Sequence, residues 1–65
     1  MPSVPTAELS SLASSVGELA QRVAELGEGL DQGGTSDVAN ALFEAERSLR
    51  MAERAIERAR RGLDA

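Results

Sequence analysis

Leu9, Leu12, Val16, Leu19, Val23, Leu26 and Leu30 follow one another at intervals of 3, 4, 3, 4, 3 and 4 residues, with no break in step. At 3.6 residues per turn, only an α-helix gathers that spacing onto one stripe. A stripe held for three heptads is the mark of a helix that lies along another helix. The second half of the chain repeats the device with Val38, Leu42, Ala45, Leu49, Ala52, Ile56, Ala59 and Leu63. Between the two runs stands Asp31-Gln32-Gly33-Gly34-Thr35, whose paired glycines allow the left-handed backbone that ends a helix and reverses the chain. These features predict an all-α fold, an antiparallel two-helix hairpin of coiled-coil type.

Boundaries follow from the punctuation. Pro2 and Pro5 disfavour helix before them, so residues 1–5 are expected to form a flexible N-terminal tail. The first helix is predicted over about residues 6–30, with Thr6 as cap and Glu8 complementing the helix dipole. A turn at 31–35 follows. The second helix is predicted over about 36–61, capped by Thr35 or Ser36 and carrying Asp37 in its first turn, with Gly62 as its stop. The hairpin thus covers 6–62, and 63–65 form the C-terminal end.

Folding at the turn suggests a register in which paired residue numbers sum to 68. Leu30 then meets Val38, Leu26 meets Leu42, Val23 meets Ala45, Leu19 meets Leu49, Val16 meets Ala52, Leu12 meets Ile56 and Leu9 meets Ala59. Large layers alternate with small ones, a pattern that lets a second hairpin interdigitate. Beside each leucine seam runs a stripe of small residues: Ser10, Ala13, Gly17, Ala20, Ala24 and Gly27 on the first helix, Ala41, Ala45, Ser48, Ala52, Ala55, Ala59 and Gly62 on the second. Small residues let helix backbones approach closely. Gly17 costs roughly 1 kcal/mol in a helix relative to alanine, which suggests that a side chain there would clash. One face is then expected to close the hairpin and another to receive a second copy. Sixty-five residues without cysteine or a Cys/His metal set have few other routes to stability. A homodimer forming a four-helix bundle is the expected product, with Leu9, Leu12, Val16, Leu19, Val23, Leu26, Leu42, Ala45, Leu49, Ala52, Ile56 and Ala59 as its self-association residues.

Length, turn position and heptad layering resemble the Rop family of plasmid copy control, whose hairpins dimerise into four-helix bundles and bind RNA. No RNA-contact motif of that family can be matched here residue by residue. The resemblance implies the dimeric bundle and not the function.

The chemistry available is narrow. Histidine and cysteine are absent, so no Ser-His or Cys-His nucleophile can be built. Carboxylates are plentiful, but they sit among arginines, and the Glu-x-x-His arrangement of di-iron bundles is missing. The reading is therefore non-enzymatic, with no metal and no cofactor. No apolar run approaches the roughly 18 residues of a membrane span. Met1-Pro2-Ser3-Val4-Pro5 lacks the charged and apolar regions of a signal peptide, so a cytoplasmic location is expected.

Charge is unevenly placed. The net charge is −4; residues 36–65 hold six acids and six arginines, which leaves the first helix acidic. Arg47, Arg50, Arg54, Arg58 and Arg61 step by 3, 4, 4 and 3 and are predicted to form one outer ridge. Arginine forks suit phosphate and carboxylate, although i,i+3 and i,i+4 neighbours such as Glu46 with Arg50 can neutralise much of the ridge. Phe43, the one aromatic residue, and Met51 lie off the seams and are further candidate contacts, Phe43 alternatively packing within the bundle or stacking on Arg47. Two functions follow. The leading one is a self-associating protein–protein interaction module, an adaptor, assembly factor or regulator. The alternative is a nucleic-acid or anionic-nucleotide binder using the ridge, against which overall acidity and the lack of interleaved aromatics both argue.

Overall fold

In a computed structural model, residues 4–64 are described, and they form two helices, α1 (Val4–Gln32) and α2 (Ser36–Asp64), packed side by side as a hairpin. The molecule is a rod of 50 × 13 × 10 Å with a radius of gyration of 14.9 Å. A compact chain of this length would have a radius near 11 Å. Each helix therefore has a long flank with nothing packed on it.

Both helices are longer than the punctuation suggests. Helix α1 begins at Val4 and contains Pro5, which is tolerated because first-turn N–H groups have no intrahelical acceptor. Of the expected tail, Met1–Ser3 lie outside the described residues. Thr6 is accordingly inside the helix and buried rather than at its cap, and no acidic residue occupies the first turn, Glu8 being the fifth helical residue. At the other end α2 passes through Gly62 to Asp64. Arg60 donates to Glu57 and to Asp64 from one side chain, at 2.9 and 3.2 Å, tying the last turn together and outweighing the propensity cost of one glycine.

The turn is a Schellman motif. Gly34 adopts φ +88°, its N–H donates to the Asp31 carbonyl at 3.3 Å, and the Thr35 N–H donates to the Leu30 carbonyl at 3.1 Å. Thr35 then serves both helices. Its hydroxyl donates to the same Leu30 carbonyl at 2.8 Å, and its own carbonyl accepts the first α2 hydrogen bond, from Ala39, at 3.0 Å. The N-cap of α2 is thus Thr35, stitched to the C-terminus of α1, and Asp37 lies in the first turn as expected.

The rows that close the hairpin are not the two seams expected to pair. The buried row of α1 is Thr6, Ala13, Ala20 and Gly27, one residue per heptad. Leu9, Val16, Val23 and Leu30 are only half-buried, while Leu12, Leu19 and Leu26 stay 52, 47 and 62% exposed. On α2 the matching inner row is Ala39, Glu46, Glu53 and Arg60, with Leu42, Leu49 and Ile56 half-buried beside it and Val38, Ala52, Ala59 and Leu63 exposed. A methyl group built on Gly17 would lie 2.6 Å from Glu53 Oε2, and one on Gly27 would lie 2.7 Å from Phe43 Cε1. Side chains that meet across the hairpin therefore have numbers summing to about 70, each long α2 side chain leaning toward its own N-terminus. The small stripe of α1, not the leucine seam, closes the hairpin, because alanine and glycine admit the α2 backbone closely. The small stripe of α2 points elsewhere: Ala41, Ser48, Ala52, Ala55, Ala59 and Gly62 are exposed, and Ala45 is half-buried.

Candidate interaction surfaces

Two surfaces follow from that closure, one apolar and one basic. The rows that flank the buried row differ in kind. On one side of the hairpin, Gly17 and Ala24 of α1 stand opposite Phe43, Arg50 and Glu57 of α2, all half-buried. Here the long α2 side chains lie over the small α1 residues. Phe43 covers Gly27, and Arg50 spans Glu46 at 3.9 Å, Glu53 at 3.3 Å and the Gln21 amide oxygen at 3.4 Å. Stems of Glu and Arg supply apolar cover while their heads pair at the edge.

The opposite side is open. Helical periodicity gathers there Leu9, Leu12, Val16, Leu19, Val23, Leu26 and Leu30 of α1 with Val38, Leu42, Ala45, Leu49, Ala52, Ile56, Ala59 and Leu63 of α2. The two seams read from the sequence are therefore neighbours on one face instead of partners across a core. Among the described residues no large side chain is fully buried, and the buried apolar ones are three alanines, Ala13, Ala20 and Ala39. Accessible surface totals 4650 Å², some 700 Å² above the ~3950 Å² expected of a compact chain of this mass. Along ~40 Å of rod and ~20 Å of width, allowing each helix its ~10 Å diameter, the face covers about 800 Å². That exceeds the roughly 300–600 Å² of the largest apolar patch on an ordinary monomer.

The basic surface is smaller than the sequence implies. Arg50 leaves the ridge, since its guanidinium is engaged between α1 and α2. Arg60, which the ridge spacing omits, is also occupied; the hydrogen bond and charge of Glu57 hold it above its ordinary pKa. Glu46 pairs with Arg50 as anticipated and Arg50 also pairs with Glu53, whereas Arg61 has no ion pair to a described residue, Glu57 having turned to Arg60. Arg47, Arg54, Arg58 and Arg61 are exposed, without an ion pair to any described residue. Arg47, Arg54 and Arg61 lie one heptad apart on a single line, about 140° around α2 from the exposed alanines of the open face. Met51 is exposed on the outer side of α2, away from both seams, and Phe43 is committed to Gly27.

Among the described residues there is no pocket, no cluster of three or more His, Cys, Asp or Glu side chains placed to hold a metal, and no helix long and apolar enough to cross a membrane. What sequence reasoning missed is the inner row of α2, because Glu46, Glu53 and Arg60 do not look like seam residues. The signal for it in the sequence is the small stripe of α1, where Gly17 and Gly27 mark places that long α2 side chains can cover. No family model, no characterised protein and no solved structure matches the chain.

Proposed function

We propose that the chain is a self-associating helical hairpin that serves as a protein–protein interaction module, an adaptor, assembly factor or regulator. The observation that carries this reading is the open apolar face. With no large side chain fully buried among the described residues, the hairpin lacks the core a lone domain needs. Its ~800 Å² face equals one partner's share of a standard interface. Covering it with a second copy yields a four-helix bundle in which Leu9, Leu12, Val16, Leu19, Val23, Leu26, Leu42, Leu49 and Ile56 become core. The Arg47, Arg54, Arg58 and Arg61 ridge lies on the far edge of α2 and stays free in such a bundle, available to carboxylates of a protein partner. Sedimentation equilibrium from micromolar to millimolar chain concentration tests the assembly. A dimer supports the reading, and a helical monomer throughout overturns it.

A second reading, a nucleic-acid binder, draws on the same four exposed arginines, which have no ion pair to a described residue. A pI near 4.6 weighs against it. Retarded mobility of RNA or DNA at low salt, with affinity falling steeply as salt rises, would favour it. Unchanged mobility at low salt removes it.

A further inference from the structure

The open face differs in size from edge to edge. Its α1 margin is a projecting row, Leu12, Leu19 and Leu26; its α2 margin is a shallow row, Ala45, Ala52 and Ala59, backed by Ala41, Ser48, Ala55 and Gly62. Gly17 against Glu53 and Gly27 against Phe43 show that side chains meet across the hairpin where their numbers sum to about 70, because a long side chain leans toward its own N-terminus. By the same lean the Leu12 side chain reaches toward the level of Ala59, Leu19 toward that of Ala52 and Leu26 toward that of Ala45, each pair summing to 71.

A second copy can cover the face about a two-fold axis in two ways. With the axis across the rod, the turns lie at opposite ends, α1 packs on α1 and α2 on α2. Leucine row then abuts leucine row while alanine row faces alanine row, and the two helix pairs need different separations. With the axis along the rod, the turns lie at the same end and α1 of each copy packs antiparallel on α2 of the other. Each leucine then meets the alanine at its own height in the second copy, at all three levels and without any sliding. Ridges enter grooves along both margins. The row behind the groove, Ala41, Ser48, Ala55 and Gly62, holds no charge that would have to be desolvated. The acids brought together at the turn end, Glu28, Asp31 and Asp37, are exposed, so separations beyond the ~8 Å Debye length at physiological salt leave their repulsion largely screened.

From this match we infer that the occupant of the open face is a second copy stacked with its turn at the same end, Leu12, Leu19 and Leu26 of each chain seated on Ala59, Ala52 and Ala45 of the other. This rests on the self-association reading above and specifies its geometry.

The test places a spin label at Asn40→Cys, an exposed position near the turn and off both seams, and measures the distance between labels in the assembled protein. Turns at the same end give a distance below ~30 Å, set by the width of the bundle; turns at opposite ends give ~40 Å or more, set by its length. A mixture of Leu19→Cys and Ala52→Cys chains, refolded together and oxidised, supplies an independent readout. Mixed disulfides in excess over like-with-like ones are expected. The long distance, or a Leu19→Cys homodisulfide as the main product, overturns the geometry while leaving self-association intact. A monomer in sedimentation with no distance between labels overturns both.

Discussion

Two glycines facing α2 are expected to respond to alanine with opposite signs. Each replacement relieves the backbone of a helical glycine and is worth about 1 kcal/mol before any contact is considered. At Gly17 the new methyl meets Glu53 Oε2 at 2.6 Å and its carboxyl carbon at 3.1 Å. That is the far end of a flexible side chain with about a third of its surface in water, so it can swing aside. The worst consequence is loss of its pairing with Arg50, a partly exposed ion pair worth about 0–1 kcal/mol. Gly17→Ala should therefore stabilise by roughly 0.5 kcal/mol, the propensity gain less half of that loss. At Gly27 the methyl meets three ring atoms of Phe43, at 2.7, 3.0 and 3.2 Å. A rigid ring must retreat by about 0.7 Å as a body, and overpacking of this kind costs ~1–3 kcal/mol. Gly27→Ala should then destabilise by about 1 kcal/mol net, which separates the two variants by about 1.5 kcal/mol. For a chain of this size that is roughly 6–12 °C in melting midpoint. Thermal unfolding followed by far-UV circular dichroism, at one fixed chain concentration because assembly adds to stability, reads it directly. Trimming the ring in Gly27→Ala/Phe43→Leu should recover most of the loss. A Gly27→Ala midpoint raised as far as that of Gly17→Ala would refute the register that places Phe43 over Gly27.

Other substitutions probe the turn and the charges. Gly34→Ala forces a side chain into φ +88° and should cost about 1–2 kcal/mol, read as a lower thermal midpoint with the helical spectrum retained. Thr35→Val keeps the shape but removes the hydroxyl donated to Leu30; a loss of ~0.5–1.5 kcal/mol is expected in the same assay. Arg50→Gln breaks the pairing with Glu46 and Glu53 and should change stability by less than about 1 kcal/mol, the difference shrinking further in high salt.

Much of this architecture is legible in the residues, and the part that is not has a physical cause. Element type, the turn at Gly33-Gly34 and the Thr35 cap follow from period and punctuation. The set of apolar seam residues does too. What the leucine spacing does not carry is which stripe faces inward within the chain. A hairpin alone is expected to bury its largest apolar residues, yet here Ala13, Ala20 and Gly27 let the helices close on a narrower strip and leave Leu12, Leu19 and Leu26 outside. That choice places Glu46, Glu53 and Arg60 on an inner row where apolar residues are the rule, their stems serving as cover. Arg60 and Arg61 compete for one carboxylate for a related reason. Both have a glutamate within a turn, but Glu57 sits three residues from Arg60 and bonds it through two nitrogens, leaving Arg61 to solvent.

The leucine face, on the self-association proposed above, is a core shared with a second copy. Sedimentation equilibrium on the wild-type chain beside Leu19→Arg, both checked for helix content, decides this. A wild-type mass of twice 6.8 kDa is expected, with the arginine variant weakened by a hundredfold or more, about 3 kcal/mol, by a charge forced into the covered face. A wild-type chain that stays helical at 6.8 kDa at every concentration, or a Leu19→Arg chain that assembles as well as wild type, would contradict it.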